Sequence, residues 1–427
     1  MKKFWKFFIP CALLAGLILR LLWSEDMEYK EDEEFNFTQA HLIGNLGGHP
    51  WPWTGMPSGV YIPNPGMSVW VFAALAKLCR ATDPVSLNRA VSLFAIFGMS
   101  LLIPFAFRFF KEERDREPWL WAFALGMVNP IAVLYQRKLW PEPFLPFFTV
   151  TLLMGYFRRE LFWGAFVWGL MGALSGQVHM SGFFLAAGFA LWTLLFDRKR
   201  PRWTGWFAGA ALGALPLIPW ASYVLAHPSQ YQPGSFPSVL QEAVQLRYWV
   251  FWITNSLGLH LGNALGLLRG ESNLQQLADF IRYPLVAGHA TYLVGLAHVA
   301  ALAAAAAILL RWRPRLKPDS SGLAVGSGFY AAGILMTLTG VNIRRYYLSV
   351  CFPLEFVWLA NSASRGPRAR TWLLALWISQ LMMSAGFVWY VHTNHGSTQG
   401  DYGVGYKNLM QERTNFGPPP PPAFPAH

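Results

Sequence analysis

Apolar stretches of roughly 20 residues recur along this chain, each long enough to cross a bilayer as a helix. A chain built this way folds as a polytopic bundle of transmembrane helices, an all-α fold. Composition agrees. Of 427 residues, 54% are hydrophobic and only 13% charged, about half the charged share of a globular protein. The formal charge of +12 invites a nucleic-acid reading, but its distribution excludes one. Lys and Arg cluster in short loops between apolar segments, as the positive-inside pattern requires. Many of the 21 tryptophans sit at segment ends, where they anchor at the interface.

Hydropathy and loop charge give about eleven spans. The first runs over 4–23 and leaves the cytoplasm; no small-residue cleavage pattern follows it, so it stays uncleaved. The next three lie near 90–110, 119–135 and 144–157. Two flank Gln177–His179, one covers 203–225, and one ends at Arg311–Lys317. Two flank Asn342–Arg345, and the last covers 372–390. The basic clusters at Lys2-Lys3, 108–116, 158–159, 198–202, 311–317 and 365–370 then all face the cytoplasm. This places the N-terminus inside and the C-terminus outside a plasma (inner) membrane. Residues 1–391 form the membrane domain, with a first outer loop at 24–88 and a second at 227–289. Residues 392–427 form a short outer tail whose Pro-rich end favours polyproline II or disorder. Met67–Leu78 is too short to span comfortably and reads as an interfacial helix of the first loop. Cys11, Cys79 and Cys351 have no metal-type spacing.

The chemistry collects on the outer face. Directly behind the first span comes the acidic run Glu25–Glu34 (EDMEYKEDEE). Later outer turns bring Arg137, Lys138 and Glu142, then Gln177 and His179, then Arg344, Arg345 and Tyr346. Cations outside the positive-inside clusters need a reason, and an anionic ligand supplies one. A sugar carried on a polyprenyl phosphate fits: the tail lies between helices, the phosphate meets Arg or Lys, and a carboxylate takes the acceptor's proton.

In order, the segments EYKEDEEF, GMPSGVYIPNPGMSVWVFAALAKL, SLNRAVSLF, LYQRKLWPEPF, GQVHMSG and NIRRYYLSVCFPLEF resemble the GT-C superfamily of membrane glycosyltransferases, over about residues 4–360. The closest branch in pattern is that of protein O-mannosyltransferases and aminoarabinose transferases. The resemblance implies an inverting hexosyl- or pentosyltransferase, fed by a polyprenyl-phosphate-linked sugar and acting on a glycan, lipid or protein hydroxyl at the outer face. It makes the acidic pair of the first outer loop catalytic. Asp32-Glu33 matches that pair, and Glu31 and Glu34 leave the register open by one residue. Glu142 takes the place of the family's second acid, usually Asp. Arg344, Arg345, Lys138 and Arg137 are the donor-phosphate candidates, and Tyr346, Gln177 and His179 the further substrate contacts. A divalent metal, if one joins, would sit on Asp32 and Glu142. Unlike many relatives, the chain is expected to lack a soluble domain after its last span.

Plainer readings stand beside these. Glu142 could cap the following helix, Lys138 and the arginines could snorkel to the interface, and His179 could be a satisfied polar residue. The rival function is a transporter or flippase of a lipid-linked sugar, which would share the spans and the phosphate site; no internal repeat supports it. A non-catalytic envelope subunit is the third reading.

Overall fold

The computed structural model describes residues 2–43, 50–58, 62–228, 236–259, 277–310, 319–364, 366, 368–396 and 402–416. The basic loop 311–317, Arg365 and the Pro-rich end from 417 lie outside the described residues. The first half of the bundle runs α1 (Lys2–Leu21), α2 (Glu31–His41), α3 (Met67–Cys79), α4 (Pro84–Ser100), α5 (Leu102–Phe109), α6 (Glu113–Val128), α7 (Pro130–Gln136) and α8 (Leu145–Tyr156). It continues through α9 (Phe162–Val178), α10 (Ser181–Phe196), α11 (Trp203–Ala214), α12 (Ile218–Ala226), α13 (Phe236–Gln245) and α14 (Arg247–Ser256). After a two-residue hairpin of β1 (Leu285–Val286) and β2 (His289–Ala290) come α15 (Leu293–Leu309), α16 (Ser320–Gly326), α17 (Gly333–Leu338), α18 (Leu354–Ala363), α19 (Ala369–Asn394) and α20 (Tyr406–Phe416).

Among the described residues, five segments are helices long and apolar enough to cross a membrane: Lys3–Leu21, Pro84–Phe109, Trp203–Ala226, Ser320–Leu338 and Ala369–Asn394. The α6–α7 pair makes a sixth, bent by 56°. Pro130 has no N–H to continue the helix across the bend, and the Asn129 side chain caps α7 instead, accepting from the amides of Ile131 and Ala132. The other expected crossings are the shorter helices α8, α9, α10, α15 and α18. Prolines explain the shortest two. Pro141, Pro143 and Pro146 turn the chain into α8, and Pro353 precedes α18.

Small residues let helices meet closely. Gly205, Gly209 and Gly213 lie at one-turn spacing on α11, where an added Cβ would overlap or crowd backbone of α9 at Phe162, Phe166 and Leu170. Between α16 and α17 the helix widens into a π-turn at Ser327–Ala332. Its Gly328 and Phe329 carbonyls accept from Tyr248 Oη (2.5 Å) and Trp249 Nε1 (2.9 Å), which pins α14 to the bundle. Helix α3 packs against α2 and α4 and buries Val69, Phe72 and Ala73, so the helix expected at the interface forms part of the bundle wall.

Two sets of contacts order the loops. On one face, Arg159 pairs with Asp197 at 2.6 Å and donates to Ser320 at 3.1 Å. On the other, Glu28 and Gly405 form a β-bridge, and Tyr406 N donates to Met27 O at 2.8 Å. The loop after α1 therefore shares a face with the segment after α19.

Candidate active site

The site begins where α2 begins. Lys30 is its N-cap, and Glu33 reaches back so that its Oε2 accepts the Lys30 amide at 3.0 Å. Glu33 is fully buried, and burial pushes its carboxyl up to about 8. Asp32 is one residue earlier, with Lys138 and Glu28 as its charged neighbours. It is half-buried and makes no hydrogen bond or ion pair with its side chain among the described residues. Desolvation raises its pKa, the charge of Lys138 opposes that rise, and Glu28 adds to it. A carboxylate with raised basicity and open lone pairs is the better proton acceptor. The two acids differ in their contacts: Glu33 caps the helix end through Oε2 while its Oε1 is buried without a hydrogen-bond partner among the described residues, and Lys138 and Glu28 act on the charge of both.

Lys138 follows α7 and is fully buried. Its ammonium pairs with Glu28, lies 4.1 Å from the Trp140 ring centre, and has Tyr402 and Tyr135 at 5.7 and 5.8 Å. Glu142 stands in the 3-10 turn that opens α8, where Lys138 and Asp32 both act on its charge. Its carboxyl is buried and raised to about 8, chiefly by desolvation. Oε1 lies 3.5 Å from His179 Nε2, and Oε2 has no hydrogen-bond partner among the described residues. The Ser181 amide donates to His179 Nδ1 at 3.3 Å, so Nε2 carries the proton and faces Glu142. Burial lowers His179 to about 4, which keeps the ring neutral. Behind Glu142 a cavity of about 50 Å³ reaches Asn255, Ser349 and Glu355, room for about three waters.

Beyond His179 lie Tyr346 and Tyr347, with ring centres 6.0 and 5.7 Å from the imidazole. Tyr346 also packs on Trp140 at 5.3 Å. Burial raises both tyrosines, and the exposed Arg344 lies near enough to oppose the rise. One polar strip results, from Asp32 through Lys138, Glu142 and His179 to the tyrosines and Arg344.

Three expected ligand contacts are placed otherwise. Arg137 is buried and donates to the carbonyls of Leu19, Arg20, Leu22 and Trp23, so its terminal nitrogens cap the end of α1. Gln177 ties α9 to α11 by donating to Gly213 O at 2.6 Å and to Ala173 O at 3.0 Å, inside the bundle. Arg345 is buried with its guanidinium 5.5 Å from the Phe251 ring centre, whereas its neighbour Arg344 is exposed. Among the described residues no group of three or more His, Cys, Asp or Glu side chains could hold a metal ion. Asp32 and Glu142 share the strip, but they lack a third such ligand there.

Sequence reasoning passed over Glu28, one acid among many in EDMEYKEDEE, yet it is the buried partner of Lys138. It also passed over Tyr402 and Gly403. The only local signal is YGVGY, where two glycines permit close backbone approach.

Neither a protein-family model nor a curated protein sequence matches the chain. Solved structures do. The oligosaccharyltransferase AglB from Archaeoglobus fulgidus, in complex with an inhibitory peptide and a dolichol-phosphate, aligns with 97% of this chain and 58% of its own, at a TM-score of 0.51 and 15% identity. ArnT from Cupriavidus metallidurans, bound to undecaprenyl phosphate, aligns over 91% and 78% at a TM-score of 0.43 and 13% identity. The Archaeoglobus enzyme in complex with zinc and sulfate aligns over 96% and 56%, at 0.44 and 16%. This chain thus spans less than two thirds of the length of the archaeal oligosaccharyltransferase, and within that span it has the same membrane fold. The GT-C resemblance carried by the motif order is borne out at the level of fold.

Proposed function

We propose that this protein is a glycosyltransferase that moves a hexose or pentose from a polyprenyl-phosphate donor to a hydroxyl of a glycan, lipid or protein at the outer face of the membrane. The observation that carries this reading is the polar strip. It holds an unpaired, half-buried Asp32 at one end and an exposed Arg344 beside two tyrosines at the other. The shared fold of an oligosaccharyltransferase supports it.

The acceptor hydroxyl hydrogen-bonds to Asp32. As its oxygen attacks the anomeric carbon, its proton passes to the Asp32 carboxylate. The bond from the anomeric carbon to the phosphate oxygen breaks, and the electron pair leaves with the lipid phosphate. Arg344 and the hydroxyls of Tyr346 and Tyr347 stabilise that charge. One displacement inverts the anomeric centre. Glu142 and His179 form the wall between the two ends and contact the sugar hydroxyls. Every step is carried by side chains, and none is routed through a metal. The exposed apolar faces of α1 and α11–α12, with Leu14, Ile18, Phe207 and Ile218 turned outward, meet lipid and let the prenyl tail lie alongside the bundle.

The test is mass spectrometry of glycans and lipids from cells with the gene, without it, and complemented with Asp32→Asn. One sugar should vanish on deletion and stay absent with the variant. Full restoration by Asp32→Asn would remove the carboxylate base and favour transport of a lipid-linked sugar.

A further inference from the structure

The segment behind the last span returns to the acidic loop and completes it. Tyr402 is fully buried, and its hydroxyl donates to Asp26 O at 2.6 Å. The Gly403 amide donates to Glu28 Oε1 at 2.7 Å, and Tyr29 N donates to Val404 O at 3.2 Å. A Cβ on Gly403 would overlap Cε of Lys30, whose ammonium lies 2.5 Å from Glu28. The segment thus fixes Glu28 by an amide and supplies the Tyr402 ring beside the Lys138 ammonium. Glu28 in turn holds that ammonium between Trp140 and the Asp32–Glu142 region.

We propose that Tyr402–Gly403 and Glu28 are positioning residues of the sugar-transfer site, acting through Lys138, whose charge they aim at the reacting centre. This rests on the transferase reading and adds a part to it: a clasp from beyond the last helix that the reaction needs. The physical ground is the cost of a buried ammonium. Removing Glu28 takes away the carboxylate paired with a buried ammonium, which leaves the Lys138 charge less compensated and lets it turn toward water. Its field would then leave Asp32 and Glu142.

Two measurements on the purified full-length protein in nanodiscs test this. The first is acylation of lysines by a water-soluble ester, read site by site by mass spectrometry. In the wild type, half-exposed Lys30 should react and Lys138 should be protected. Glu28→Gln and Tyr402→Ala should each raise labelling of Lys138 at least about tenfold. Protection of Lys138 that persists in both variants overturns the proposal. The second measurement is transfer kinetics, with the sugar identified by the glycan comparison above. Glu28→Gln should lower kcat about tenfold or more and leave donor KM unchanged. Combined with Lys138→Met, it should be no slower than Lys138→Met alone. Independent, multiplying losses would show that Glu28 does not act through Lys138, and an unchanged kcat with Lys138 exposed would make the clasp structural only. A wild-type protein with no transfer activity sinks the transferase reading, while the labelling result still decides whether the clasp holds Lys138.

Discussion

Ionising Glu142 should weaken donor binding, and the structure sets where. Its carboxyl is raised by burial from an ordinary 4.5 to about 8, so at neutral pH it is mostly protonated. It faces the tyrosines on which Arg344 also acts. A neutral Glu142 leaves Arg344 free to attract a lipid phosphate; an ionised one repels it. With a midpoint near 8, the neutral fraction falls from about nine tenths at pH 7 to about one tenth at pH 9. Affinity for a polyprenyl phosphate should therefore drop up to about tenfold over that window. The ligand's own second ionisation is over by then, with a pKa of about 6. His179, near 4, stays neutral throughout. Glu142→Gln keeps the site uncharged and should flatten the profile. Glu33 also titrates near 8, so Glu33→Gln is the control and should keep the drop. Binding is best measured in nanodiscs, because stability falls over the overlapping range from pH 4.5 to 8. A carboxyl raised on folding contributes fully below pH 4.5 and loses that contribution as pH rises through 8. A tenfold drop that survives in Glu142→Gln refutes the reasoning, and one lost only in Glu33→Gln moves it to the cap of α2.

Three further outcomes follow from placement. Asp32→Asn should cut turnover by a factor of roughly 10²–10⁴ with donor affinity little changed, and normal turnover would exclude Asp32 as the base. Arg344→Gln should weaken polyprenyl phosphate binding and leave thermal unfolding unmoved, whereas Arg137→Gln, which uncaps α1, should destabilise by about 1–3 kcal/mol; the reverse pattern would exchange their roles. A reporter after Asn394 should be accessible on the same face as one inserted after Glu31, and opposite faces would contradict the Glu28–Gly405 bridge.

Most of the fold was legible because lipid imposes one rule on every span: a long apolar run with charges parked outside it. The rule reads length well and breaks poorly. It placed a crossing at 144–157, but not the prolines that shorten α8 to 12 residues. It placed another over 119–135 but missed the 56° bend at Asn129–Pro130, since hydropathy is blind to a missing N–H. Arg137, Lys138 and Glu142 follow that bend and are all buried, so the missed detail lies directly before the candidate site.

Of the site residues, those whose role follows from chain position could be found, and those whose role follows from a distant partner could not. Asp32 was legible as an acid entering a helix behind the first span. That Glu33 caps the helix was not, because it depends on which carboxylate reaches the Lys30 amide. Arg137, Lys138 and Arg344 looked alike as outer-face cations. The structure gives the first to four carbonyls, the second to Glu28, and leaves the third exposed. Lys138 shows why no local pattern could have told them apart. Its carboxylate comes from about 110 residues upstream, and Tyr402 beside it from about 264 residues downstream. The two meet only because the spans between them return the chain to the same face. The number of crossings between Glu28 and Tyr402 must then be even, and, with α1 as a crossing before them, the total must be odd. The tail expected after the last span is thereby bound to the first loop.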